Sequence, residues 1–175
     1  MRGERGLVTS CARGPGAERA GDEDDVRVVE PRPTDVEALV RLSRRFVEEV
    51  PWAATIPIGQ MTGAKEASER LFGDSVVAVR LAETTDGEVV GYVGVCRHAE
   101  VVDISILVQR SYRRRGLGRR LVEQVFDDLP AGLKVEAWVA ASNAASRAAM
   151  PAMGFVLDRT IEDRGRTVYV YGRTS

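Results

Sequence analysis

Between Ile104 and Leu121 a β-rich run ends near Val108, crosses Arg113-Arg-Arg-Gly116-Leu-Gly118, and continues as an amphipathic helix. This junction constrains the chain more than any other stretch. A buried strand must feed directly into a helix whose first turn carries glycine. The N–H groups of a helix start lack intrahelical acceptors, and glycine there lets an anion approach the backbone. Arg113, Arg114, Arg115, Arg119 and Arg120 add positive charge around the same turn. Taken alone, the pattern fits either an anion cradle or a solvated basic face. It lacks the G-x-x-x-x-G-K-[ST] of a P-loop and has two of the three glycines of a dinucleotide fingerprint.

The rest of the chain reads as a single mixed α/β domain over residues 26–173. Val26 to Glu30 form a short strand stopped by Pro31 and Pro33. Thr34 or Asp35 caps a helix with Val36, Leu39, Val40, Leu42 and Phe46 at helical spacing, ended by Pro51. A second helix covers Ala64 to Phe72. Val76–Leu81 and Val89–Val95 are strands joined by the turn Thr84-Thr85-Asp86-Gly87. Val101–Val108 is a third strand of this region, and a helix runs from about Gly116 to Leu129. Leu117, Leu121, Val122, Val125 and Leu129 line its apolar face. A strand at Leu133–Ala140, a helix at Asn143–Met153 and a hairpin at Phe155–Ile161 and Thr167–Tyr171 complete the order. Pro151 lacks an N–H and clashes with the carbonyl of Arg147, so that helix is expected to bend.

Composition removes several classes of function. The 175 residues carry 25 basic and 26 acidic side chains, so no global field draws nucleic acid or membranes. No apolar run approaches the ~20 residues that span a bilayer. Residues 1–25 hold an acidic cluster and almost no large apolar side chains, which predicts a disordered leader without the apolar core of a signal peptide. Cys11 and Cys96 have no metal-ligand spacing and suggest a reduced, cytoplasmic setting. With His98 as the single histidine, zinc catalysis and a Ser-His triad both lack parts.

The Arg113, Gly116 and Gly118 triplet closely resembles the Arg/Gln-x-x-Gly-x-Gly/Ala signature of the GCN5-related N-acetyltransferase (GNAT) family. A second stretch resembles it too: strand Val135–Val139, then Asn143, a helix, and Met153-Gly154-Phe155. The resemblance covers about Val26 to Arg173. It implies a mostly antiparallel sheet of six to seven strands flanked by about four helices, with two central strands splayed around acetyl-CoA. Ile106, Leu107 and Val108 would then offer main-chain groups to the pantetheine arm and the acetyl carbonyl. Arg113, Arg114, Arg115, Gly116, Leu117, Gly118 and Arg119 would hold the pyrophosphate. Asn143 and Ser146 would lie along the pantetheine, although Asn143 serves equally well as a helix cap. No metal is implied.

The family's usual catalytic residues are missing. The position that commonly holds a proton-donating Tyr is Met150, and the usual positions for a base match Val102 and Ile104. Asp103 alternates to the opposite face of the strand, Glu100 sits at its start, and Tyr112 lies inside the motif. All three are weak candidates against solvated or packing roles, and His98 shows no partner in the sequence. Tyr92, Tyr169 and Tyr171 read as packing residues. On the acceptor side, Glu48 and Glu49 would draw in a cationic amine and Trp52 would wall it. The expectation is a transfer of acetyl to a primary amine of a small molecule, amino acid or peptide, in a monomer or homodimer. A domain that holds acyl-CoA without turning it over is the alternative, since the missing Tyr and base permit it.

Overall fold

Seven strands form one mixed sheet in the order β1-β2-β3-β4-β5-β7-β6, flanked by four helices, in a computed structural model that describes residues 25–50 and 61–175. The strands are β1 (Val26–Val29), β2 (Val76–Thr84), β3 (Val89–His98), β4 (Val101–Val108), β5 (Lys134–Ala140), β6 (Val156–Asp163) and β7 (Arg166–Thr174). The helices are α1 (Val36–Glu49), α2 (Ala64–Phe72), α3 (Leu117–Asp127) and α4 (Ala144–Ala149). Every element expected from the sequence is present, with boundaries moved by a few residues. The leader lies outside the described residues except for Asp25, whose carbonyl accepts the Thr85 N–H at 2.9 Å.

The local causes are those the residue types supply. Gly87, at φ 85°, turns β2 into β3. Thr84 Oγ1 accepts the Glu88 N–H at 3.0 Å and closes that turn. α4 stops at Ala149, and Pro151 opens a separate 3-10 turn through Met153. The bend expected from Pro151 is therefore a full break of the helix. Gly154, at φ 79°, then lets the chain reverse into β6.

The sheet buries both faces. On one, α3 and the Met150–Phe155 segment cover Val93, Val95, Val102, Ile104, Val135 and Ala137. Phe126 meets the Phe155 ring edge-on at 5.8 Å. On the other, Leu39, Val40 and Leu42 of α1 and Ala67 and Leu71 of α2 cover Leu81, Tyr92 and Leu107. Strand alternation decides the rest: Val102, Ile104 and Ile106 belong to the α3 face, and Asp103, Ser105 and Leu107 to the α1/α2 face.

All neighbouring strands pair antiparallel except β4 and β5. Those two are parallel and meet at a single bridge, Asp103 with Glu136. Past that bridge they diverge, and the β4 edge from Ile104 to Val108 has no strand partner on the β5 side.

Candidate active site

The split between β4 and β5 leads directly to the start of α3. Gly116 caps α3 in the left-handed conformation, φ 76°, and a Cβ built there would meet nothing within 4 Å. At Gly118 a Cβ would touch only Val108 Cγ2, at 3.8 Å. Arg120 N–H donates to the Gly116 carbonyl at 3.0 Å, the first bond of the helix. The N–H groups of Leu117, Gly118 and Arg119 precede that bond and have no intrahelical acceptor. The backbone here is exposed and unencumbered by side chains, as an anion-holding turn requires. A cleft of about 310 Å³ beside this turn is lined by residues of the motif, among them Tyr112, Arg115, Gly116 and Arg119, and by Val26 and Glu123.

Several arginines of the motif are held by the protein itself. Arg113 Nε donates to the Val108 carbonyl at 2.8 Å, and its Nη2 stands 2.7 Å from Glu49 Oε2. Its guanidinium lies 6.0 Å from the Phe46 ring centroid. Arg113 thus ties the end of β4 to the end of α1. Arg119 donates to Glu123 at 2.6 Å, and Arg120 to the Val26 carbonyl at 2.6 Å. Arg115 stacks over the Tyr112 ring at 5.7 Å. Arg114 is exposed in a left-handed conformation, φ 61°. The cradle is therefore built mainly of backbone, and the basic run is in large part a set of structural ties.

The other expected residues fall as follows. Asn143 caps α4, its Oδ1 accepting the Ser146 N–H at 3.1 Å. Glu48 is exposed on the last turn of α1, and Glu49 is occupied by Arg113. Trp52 lies outside the described residues. Glu100 is exposed in the tight turn between β3 and β4. Tyr112 sits beyond the other end of β4, on a 3-10 turn packed against the α3 core. Met150 is 3% exposed in that same core, so its position is part of the packing.

Asp103 stands apart from the other candidates. It occupies the one bridge between β4 and β5, on the α1/α2 face. Its side chain is 19% exposed, and His98 Nε2 stands 3.1 Å from its Oδ1. That approach lacks hydrogen-bond alignment, and among the described residues Oδ1 is a buried oxygen without a hydrogen-bond donor. The Tyr92 hydroxyl, fully buried on the same face, is likewise unpartnered. Burial pushes the Asp103 carboxyl above the usual carboxylate range, against the opposing pull of His98 and Arg70. Burial also drives the Tyr92 phenol strongly upward, so it stays protonated.

Across the bridge, Glu136 shows the opposite environment. Arg159 grips it through two bonds of 2.8 and 2.9 Å, and the Trp138 indole N–H donates to it at 3.1 Å. These bonds hold its pKa below the ordinary value despite burial. Trp138 itself is 46% exposed on the same face. Alternation along Lys134–Ala140 is the signal that could have placed Glu136 and Trp138 on one face of β5; that they face Asp103 follows from the register of the sheet.

The model of the Acetyltransferase (GNAT) family matches residues 47–155. Solved structures supply fold-level relatives. A GNAT superfamily phosphinothricin acetyltransferase from Sinorhizobium meliloti, in complex with acetyl-CoA, is 16% identical with a TM-score of 0.68, covering 86% of this chain and 88% of that one. The ribosomal-protein-S18-alanine N-acetyltransferase from Escherichia coli is 19% identical at a TM-score of 0.65, covering 85% and 93%. A mutant of spermidine N-acetyltransferase from Vibrio cholerae is 12% identical at 0.61, covering 87% and 95%. A search of curated proteins returns no match.

Proposed function

Because the chain belongs to the GCN5-related N-acetyltransferase family, we propose that it moves an acetyl group from acetyl-CoA to a primary amine by direct attack on the thioester. The observation that carries this reading is the split between β4 and β5, which opens at one bridge and ends at the bare backbone of Gly116–Gly118. The β4 edge beyond the Asp103–Glu136 bridge, which has no strand partner on the β5 side, suits the amides of a pantetheine arm along Ile106, Leu107 and Val108, since such an arm needs main-chain partners spaced like a strand. The α3 start supplies free N–H groups for the pyrophosphate, and the neighbouring arginines supply a positive field.

The acceptor side fits a cation. Asp103 and the exposed Trp138 share the α1/α2 face at the bridge where the split begins, and a carboxylate with an aromatic ring suits an ammonium group. A small amine, an amino acid or a peptide N-terminus meets that requirement. No described helix is long and apolar enough to cross a membrane, and the reading places the enzyme in the cytoplasm with its acetyl donor. The test is turnover of acetyl-CoA across a panel of polyamines, amino acids and short peptides, read as free thiol. Amine-dependent thiol release is expected. Release no faster than hydrolysis with every amine contradicts the reading, even if acetyl-CoA binds.

A further inference from the structure

The two carboxylates that face each other across the β4–β5 bridge are in opposite chemical states. Glu136 is spoken for by Arg159 and Trp138. Asp103 has a buried oxygen without a donor among the described residues, at the point where the sheet opens. Two acids whose surroundings push them apart mark a division of labour, one fixed as an anion and one free to take up a proton.

We propose that Asp103 is the proton acceptor for the attacking amine and that His98 carries the proton onward to solvent. This assignment rests on the amine-acetylating reading above. His98 follows from its position: it ends β3, it is 49% exposed, and its Nε2 lies 3.1 Å from the unpartnered oxygen. Its imidazole therefore joins a buried carboxylate to water. Cys96 pairs with Asp103 across the strands, and Tyr92 lies two residues before Gly94 on the same face. A Cβ on Gly94 would come within 2.0 Å of the Tyr92 hydroxyl, so glycine is what admits that ring along the strand.

Among the described residues, the groups facing Asp103 are few. From β3 come Tyr92, Cys96 and His98, from α2 Arg70, and from β5 Glu136. Arg70 also hydrogen-bonds the Cys96 thiol, which burial pushes up and keeps protonated. Burial raises Asp103 as well, which makes it a stronger base than an exposed carboxylate.

The step balances. A bound ammonium gives one proton to the Asp103 carboxylate, and the freed lone pair forms a C–N bond to the thioester carbonyl carbon. The C–S bond breaks with its electron pair on sulfur. The nitrogen loses a second proton, which ends on the thiolate through water. The proton on Asp103 leaves by way of His98, so the sum is amide, free thiol and one proton released.

The experiment uses the full chain with the best amine of the panel and compares wild type, Asp103→Asn, Asp103→Glu and His98→Gln. Asp103→Asn should lower kcat/KM about 100-fold, at the modest end of general-base effects. It should also remove the acidic limb of the pH profile while leaving acetyl-CoA affinity within twofold. Asp103→Glu should recover part of the rate, and His98→Gln should lose about three- to tenfold with an altered limb. An Asp103→Asn enzyme within threefold of wild type with its acidic limb intact overturns the proposal. So does one whose lost activity tracks an equal loss of acetyl-CoA affinity and melting temperature, which would mark a structural carboxylate. A wild type inactive on every amine instead contradicts the underlying function.

Discussion

The two ends of β4 present different kinds of groups. At its C-terminal end the strand runs into Arg113–Gly118, where the useful groups are main-chain N–H donors and the side chains are mostly tied back into the protein. At its N-terminal end the useful groups are side chains, Asp103 with His98 and Glu136 with Arg159, brought together from four strands. The first kind of site depends on local sequence: two glycines and a helix start. The second depends on register across the sheet, which no short motif encodes. On the reading proposed above, holding the donor is a backbone property, and handling the proton is a side-chain property of a different point on the same strand.

The largest effect that would sharpen this contrast concerns Met150, where the family resemblance expects a Tyr. If proton chemistry belongs to the Asp103 face alone, a hydroxyl on the α3 face gains nothing. Met150→Tyr should overpack a closed core, costing about 1–3 kcal/mol, with a melting temperature lower by roughly 2–4 °C per kcal/mol. Met150→Phe should behave alike, and neither should raise kcat. A faster Tyr variant would break the contrast by putting an acid on the other face.

A smaller effect is expected at the cradle. Gly116 holds φ 76°, so Gly116→Ala should cost about 1 kcal/mol of stability through backbone strain. Thermal unfolding checks this. No loss would mean that the turn relaxes easily and is less fixed than its geometry suggests.

The smallest effect is in the pH dependence of stability, and its sign differs between the facing carboxylates. Asp103 is raised, so its contribution is fully present below its unfolded value, about 3.9, and is lost as pH rises through the folded value. Glu136 is lowered, so its contribution is present above the unfolded value and lost as pH falls through the folded one. Asp103→Asn should therefore leave stability at neutral pH unchanged or higher, and Glu136→Gln should reduce it. Denaturant unfolding at neutral pH checks both, and a clear loss for Asp103→Asn would make that carboxylate a stabilising one.

Legibility followed the same division. The elements and the Gly116–Gly118 turn could be read because each follows from patterns within a few residues: alternation, helical spacing, glycine and proline. Alternation also placed Asp103 correctly on the face opposite Val102 and Ile104. What could not be read was its company. His98 had no partner in the sequence because the pairing runs through a side chain that reaches diagonally across the hairpin. The Glu136–Arg159 grip spans 23 residues, and the Arg113–Glu49 tie joins residues with α2 and the three strands β2, β3 and β4 between them in the chain. Met150 kept its sequence position in the motif while Pro151 broke the helix around it and its side chain turned into the core.

On this reading the donor is held at one end of β4 independently of the proton chemistry at the other. Calorimetric titration of coenzyme A into wild type, Gly118→Val and Asp103→Asn tests it directly. The added methyls should crowd the anion in a variant that still folds, because a Cβ at Gly118 meets only Val108 at van der Waals distance. Gly118→Val should bind at least about tenfold more weakly, about 1.4 kcal/mol, while Asp103→Asn binds as wild type does. Equal affinity in a folded Gly118→Val protein, or an equal loss in both variants, would contradict it.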